Sequence, residues 1–170
     1  MKGYFHIYTG NGKGKSTAAF GLALRAAGAD LQVFIGQFLK GSRSSERESI
    51  EKLPNITLRQ YGGSGFIRGV PSKKDIEQAR IGLSEMCAIA RSGKYRVVIM
   101  DEVNVALHYG LFPVQDLLEV IDGRHVSVEL IFTGRNADPR VVERADLVTE
   151  MKEIKHYYQK GVQARVGIEK

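Results

Sequence analysis

The sequence predicts an α/β protein, a mostly parallel β-sheet flanked by helices, and two observations carry the prediction. Short apolar runs rich in β-branched and aromatic residues recur at 4–8, 31–38, 56–61, 95–100 and 126–132. Helical patterns lie between most of them, and strands that alternate with helices pair in parallel, because the crossover helices then cover the sheet faces.

The first run, Tyr4-Phe5-His6-Ile7-Tyr8, leads through a glycine-rich turn into an apolar helix over 17–27 that Gly28 closes. The second run leads into 41–48, rich in Ser, Arg and Glu, and the third into 62–72, rich in glycine with Phe66, Ile67 and Val70 interleaved. Both irregular stretches follow strands, and ligands of open α/β sheets bind at the carboxyl ends of strands, so both are expected to wall a site. Within 73–92, Ile76, Ala79, Leu83, Met86, Cys87 and Ala90 recur at spacings of three and four, with Asp75, Glu77 and Arg80 on the other face. That is a helix packed on the sheet. Pro113 precedes a second amphipathic helix through Val114, Leu117, Leu118 and Ile121 that Gly123 ends, and Asp138-Pro139 opens a third through Val141, Val142 and Ala145.

A chain of 170 residues with 43% hydrophobic content suits one domain over 1–170. No apolar run approaches the ~18 residues of a membrane span. Met1-Lys2-Gly3 leads straight into the first strand, so neither a membrane segment nor a signal peptide is expected and the cytoplasm is the expected compartment. Cys87 is the single cysteine, which rules out an intramolecular disulfide; on the apolar stripe of its helix it is expected to be a buried, inert thiol. The charge of +6 suits an anionic ligand, whereas the scatter of the basic residues argues against nucleic acid. His6, His108, His125 and His156 show no metal-ligand spacing.

Between the first strand and its helix lies Thr9-Gly10-Asn11-Gly12-Lys13-Gly14-Lys15-Ser16-Thr17. Glycines let backbone N–H groups turn inward around an anion, the helix adds its partly positive end, Lys15 adds a point charge, and the Ser16 hydroxyl can ligate Mg²⁺. The segment reads as a phosphate loop and the fold as similar to the P-loop nucleoside triphosphate hydrolases. The common spacing would place its first glycine at Thr9, so the loop is one residue short, and it carries a second lysine, Lys13. Gly- and Lys-rich turns also occur as solvated loops, but the strand before and the helix after this one are the context that phosphate binding requires.

A later apolar run, Val97-Val98-Ile99-Met100, ends in Asp101-Glu102, the form that a magnesium ligand takes beside a phosphate loop. Arg135 follows the strand 126–132 and would emerge on the same edge, either as an ordinary turn arginine or as a nucleotide contact; Gln37, Lys40 and Arg43 present the same choice after the second strand. On the residues alone a P-loop nucleotide kinase or phosphohydrolase and a nucleotide-dependent binding module both stand.

Taken together these residues resemble the P-loop corrinoid adenosyltransferases. The likeness covers nearly the whole chain: Gly10 to Ala19, Gln37-Phe38-Leu39-Lys40-Gly41, Gly65-Phe66, Met100-Asp101-Glu102, Thr133-Gly134-Arg135, 145–151, Lys155-His156, and Gly161, Ala164 and Gly167-Ile168-Glu169. The short loop that departs from the general pattern agrees with this family's. The resemblance implies that the Co(I) centre of a reduced corrinoid attacks C5′ of ATP and that the whole triphosphate leaves, in adenosylcobalamin synthesis or salvage. It implies nucleotide contacts from Gly10, Asn11, Gly12, Lys13, Gly14, Lys15, Ser16, Thr17 and Arg135, with Mg²⁺ at Ser16 and Glu102 and Asp101 as the P-loop analogue. Lys13 and Lys15 would stabilise the departing triphosphate. Phe66, with Ile67 and Arg68, would stand at the corrinoid, Phe66 keeping the lower ligand off cobalt. A flavoprotein reductase that supplies electrons, and a homodimer, are the implied partners. Two departures mark this sequence: relatives carry tryptophan where Arg68 stands, and an N-terminal arm where this chain has Met1-Lys2-Gly3.

Overall fold

The computed structural model describes residues 1–40, 45–63 and 69–169. Among them the chain runs β1 (Phe5–Thr9), α1 (Lys15–Ala27), β2 (Val33–Phe38), α2 (Ser45–Ile50), β3 (Ile56–Tyr61), α3 (Lys73–Ser92), β4 (Val97–Asp101), α4 (Val103–His108), α5 (Val114–Gly123), β5 (Glu129–Thr133), α6 (Pro139–Val142) and β6 (Leu147–Glu150). The strands form one sheet in the order β3-β2-β4-β5-β1-β6, and every described pairing is parallel. All five expected strands and the three expected amphipathic helices are present, α6 in shortened form.

Burial on both faces explains the continuous apolar runs of the central strands. Val98 and Met100 of β4, with Phe5, Phe34, Phe38 and Phe132, face Leu83 and Met86 of α3 and Leu117 and Ile121 of α5. Val97 and Ile99 point the other way, with Val33, Ile35 and Ile131, onto Ala19, Ala23 and Ala26 of α1. The small residues on that stripe of α1 bring the helix axis close to the sheet, which seats the helix N-terminus directly over the strand ends. Gly36 and Gly82 serve the other face, where a Cβ would collide with Met86 or with the ring of Tyr61. A Ser72–Asp75 capping box starts α3, and Gly93, at φ 66°, ends it.

Four elements differ from expectation. The sixth strand, β6, is four residues long and exposed along its whole length, so it has no alternating apolar signal; its backbone bonds to β1 define it. The stretch 41–48 expected to be irregular contains the start of α2, and α4 follows β4 after a single residue. Helix α6 stops at Val142 rather than reaching Ala145, because the chain must turn back so that the Asp146 N–H can donate to the Phe5 carbonyl and the Asp146 carboxylate can accept the Phe5 N–H. Cys87 is only partly buried, on the rim of a groove between α3 and α5, rather than sealed in the core. Phe66, Ile67 and Arg68, expected at the corrinoid, lie outside the described residues, as does Arg43.

Candidate active site

The loop from Gly10 to Gly14 leaves the carboxyl end of β1 and turns into α1. Gly10 and Gly14 have φ of 94° and 116°, backbone that a side chain resists, so these two positions need glycine. Lys15, the first residue of α1, is 8% exposed and folds back so that its ammonium donates to the Gly12 carbonyl at 2.6 Å. Burial lowers its pKa, and Arg135 lowers it further, while Glu102 and Asp101 oppose the shift. A phosphate arriving there would be met by a desolvated cation, whose attraction water screens little.

β1 and β4 are not neighbours; β5 lies between them. The side chains at the ends of these strands are joined through Asp101, which is fully buried. Its Oδ1 accepts from the Ser16 hydroxyl at 2.7 Å and from the Thr133 hydroxyl at 2.7 Å. Its Oδ2 accepts from the Gln37 amide at 3.1 Å and faces the Lys40 ammonium at 3.5 Å. Thr133 closes the group by accepting the Glu102 N–H at 2.9 Å. That bond holds Glu102 at φ 60°, in left-handed backbone where a non-glycine residue is strained. The Glu102 carboxyl group lies within electrostatic reach of Lys40, Lys15 and Arg135. Burial pushes the Glu102 carboxyl pKa up, with the neighbouring Asp101 adding to the effect and the three cations opposing it.

The donor set fits Mg²⁺. Ser16, Asp101 and Glu102 offer hard oxygens, and because the Ser16 proton is committed to Asp101 its lone pairs stay free for a cation. Among the described residues no cluster of three or more His, Cys, Asp or Glu could hold a metal alone.

Lys13 is engaged by a different part of the chain. Its ammonium donates to the Tyr157 hydroxyl at 3.1 Å, the Ile168 carbonyl at 2.9 Å and Glu169 at 3.0 Å, so all three N–H donors go to the C-terminal segment. Tyr157 and Arg165 also bond Glu169 and, with Lys13, hold its carboxyl well below the usual range. The same segment runs against the loop: the Gly12 N–H donates to the Met151 carbonyl at 2.7 Å, and a Cβ on Gly10 or Gly12 would meet the backbone of Met151 or Lys152. Spacing gave no sign of this contact, which is mostly backbone. Of the expected nucleotide residues, Gly10, Gly12, Gly14, Lys15 and Ser16 line the turn over the strand ends, Asn11 and Thr17 are exposed beside it, and Arg135 is exposed at the end of β5. Gln37 and Lys40, on which the sequence left two readings open, both contact Asp101, and Thr133 emerges as the hub that spacing did not single out.

Fold and site together define a P-loop nucleotide-binding protein. A KaiC-like protein from Pyrococcus horikoshii shares the fold, with a TM-score of 0.56 over 88% of this chain and 73% of that one at 16% identity. The model of the family described as ATP:corrinoid adenosyltransferase BtuR/CobO/CobP matches residues 1–169. Corrinoid adenosyltransferases of Pseudomonas aeruginosa and of a Sinorhizobium species are 33% and 34% identical, each over 99% of this chain and over 84% and 80% of their own lengths. That of Escherichia coli K12 is 31% identical over 99% of this chain and 86% of its own. The chain belongs to the ATP:corrinoid adenosyltransferase family, and it is an enzyme.

Proposed function

We propose a division of labour among these residues for adenosyl transfer. The protein transfers the 5′-deoxyadenosyl group of ATP to a corrinoid, a step of cobalamin biosynthesis. The observation that carries the assignment of roles is the convergence of Lys15, Ser16, Asp101, Glu102 and Thr133 at the helix end over β1, β4 and β5.

The nucleophile is the Co(I) centre of the substrate, which donates an electron pair to C5′ as the bond from C5′ to the triphosphate oxygen breaks. No proton has to move, so the site needs no general base. What it must supply is a preorganised field for the negative charge that grows on the leaving triphosphate. Loop N–H groups, the N-terminus of α1 and the desolvated Lys15 ammonium provide it, with Arg135 reaching in from the end of β5. Ser16 and Glu102 would hold Mg²⁺, which when bound neutralises phosphate charge, and Asp101 orients Ser16 from behind. Lys13 joins by exchanging the Glu169 carboxylate for a phosphate oxygen, one anionic acceptor for another.

Phe66, with Ile67 and Arg68, is assigned to the corrinoid. An electron-donating flavoprotein reductase as partner, a homodimer, a single domain over 1–170 and a cytoplasmic location complete the reading. None of the described helices is long and apolar enough to cross a membrane. The test is to incubate the protein with MgATP and chemically reduced cobalamin. The cobalt–carbon absorption spectrum and free triphosphate should appear together; ADP or diphosphate would instead favour a kinase or phosphohydrolase.

A further inference from the structure

Across the carboxyl edge of the sheet, Gln60 of β3, Gln37 of β2 and Asp101 of β4 stand in register on one rung. Their side chains are bonded in sequence. Arg47 of α2 donates through Nη1 to Gln60 Oε1 at 3.0 Å, Gln60 Nε2 donates to Gln37 Oε1 at 3.0 Å, and Gln37 Nε2 donates to Asp101 Oδ2 at 3.1 Å. Gln37 and Asp101 are both fully buried.

A glutamine amide can normally be turned over without changing its shape, so its direction is fixed only by its partners. Here both ends fix it. Arg47 has donors and no acceptor, and an ionised Asp101 has acceptors and no donor. One direction of hydrogen bonding satisfies every link. With either amide reversed, two acceptors would face each other.

We propose that Gln37 and Gln60 are positioning residues for the magnesium site, and that this one-way chain from Arg47 fixes the rotation of the Asp101 carboxylate. With Oδ2 held by Gln37 and faced by the Lys40 ammonium at 3.5 Å, Oδ1 is left to Ser16 and Thr133, and the Ser16 lone pairs stay available to a cation. Bonds in such a chain polarise one another, so the positive charge on Arg47 strengthens the last link although it lies three bonds away. The inference rests on the reading of Ser16, Asp101 and Glu102 as the magnesium site. It adds residues on β2, β3 and α2 that do not touch the ion.

The test compares the affinity for ATP with Mg²⁺ and with EDTA by titration calorimetry, and takes the ratio as the magnesium gain. Gln37→Leu should cut that gain about tenfold, the scale of one hydrogen bond to a charged group, with ATP binding in EDTA unchanged. The discriminating pair is at Gln60. Gln60→Glu keeps size and shape but cannot donate, so Gln37 either faces a carboxylate with its carbonyl or turns over and presents that carbonyl to Asp101; the gain should fall about fivefold or more. Gln60→Leu cuts the link to Arg47 yet leaves Gln37 able to donate to Asp101, and should lower the gain by about twofold, less than glutamate does, because only the polarisation that reaches the last link from Arg47 is lost.

A packing role predicts the reverse order, because glutamate is the closer isostere. Leucine at position 60 costing as much as glutamate, or a folded Gln37→Leu protein with an unchanged gain, would overturn the proposal. If Gln37→Leu does not fold, the half-buried Gln60 pair decides alone. Glu102→Gln, at a proposed ligand outside the chain, separates the two levels. An unchanged gain in that variant removes the magnesium reading itself, whereas a lost gain together with normal Gln37 and Gln60 variants removes only the positioning chain.

Discussion

Replacing Thr133 with valine keeps the shape of the side chain and deletes one oxygen atom, which isolates what that atom does. The hydroxyl is fully buried and makes two bonds, donating to Asp101 and accepting the N–H of Glu102. Without it a buried carboxylate loses a donor, at about 1.5–3 kcal/mol, and a partly buried N–H loses its acceptor, at about 1–3 kcal/mol. Both losses pass through one atom and do not add fully, so about 3 kcal/mol is the expected cost. For a domain of this length 1 kcal/mol moves the melting temperature by about 2–4 °C, so Thr133→Val should melt about 6–12 °C below wild type. Thr133→Ser keeps the hydroxyl and loses one methyl group, at about 1 kcal/mol, and should fall about 2–4 °C. The assay is thermal unfolding followed by circular dichroism in EDTA, where no ion or nucleotide can mask the change. Valine within about 2 °C of wild type, or serine falling as far as valine, would refute the account of Thr133 as the hub between Asp101 and Glu102.

Lys15→Ala should fold, since the side-chain bond that Lys15 makes to the Gly12 carbonyl stays within the loop, but lose turnover about a hundredfold or more, the scale of removing a preorganised donor at developing charge; turnover within about twofold would sink the phosphate assignment. Glu102→Gln should raise the Mg²⁺ needed for half-maximal activity. Because the folded protein holds the Glu102 proton more tightly than the unfolded chain, the ionised group is a destabilising charge, absent below the ordinary value of 4.5 and growing as pH rises through the folded pKa. Glu102→Gln in EDTA should therefore melt above wild type at neutral pH and level with it at about pH 4, and a lower melting point at neutral pH would contradict the burial argument. Lys13→Ala removes three bonds to the C-terminal segment, so trypsin should cut at Lys155, Lys160 and Arg165 several-fold faster; unchanged cleavage would mean that Lys13 does not hold this segment. Phe66→Ala should slow the reaction from Co(II) far more than the reaction from chemically made Co(I), because displacing the lower ligand eases only the reduction; equal losses would give the loop a general binding role instead.

The sequence by itself determined the sheet, the loop and the acids, because each has a local cause. The apolar runs at β2 and β4 must be buried on both faces, the glycines of 10–14 permit a turn that other residues resist, and Asp101-Glu102 ends a strand that Val97 to Met100 makes unmistakable. The family likeness was legible for the same reason, being carried by short contiguous motifs. What only the tertiary structure decided depends on strand order and on backbone contacts. Ser16 meets Asp101 because β1 and β4 lie two places apart in the sheet, with Thr133 at the end of the strand between them. Gln37, Gln60 and Asp101 share a rung because parallel register sets them there, across intervals of 23 and 64 residues. β6 and the C-terminal segment that occupies Lys13 are held by main-chain groups and exposed polar side chains, which leave no periodicity. A pattern along the chain records which way each residue faces; it does not record which strand end stands beside which, and the chemistry of this site is made at those meetings.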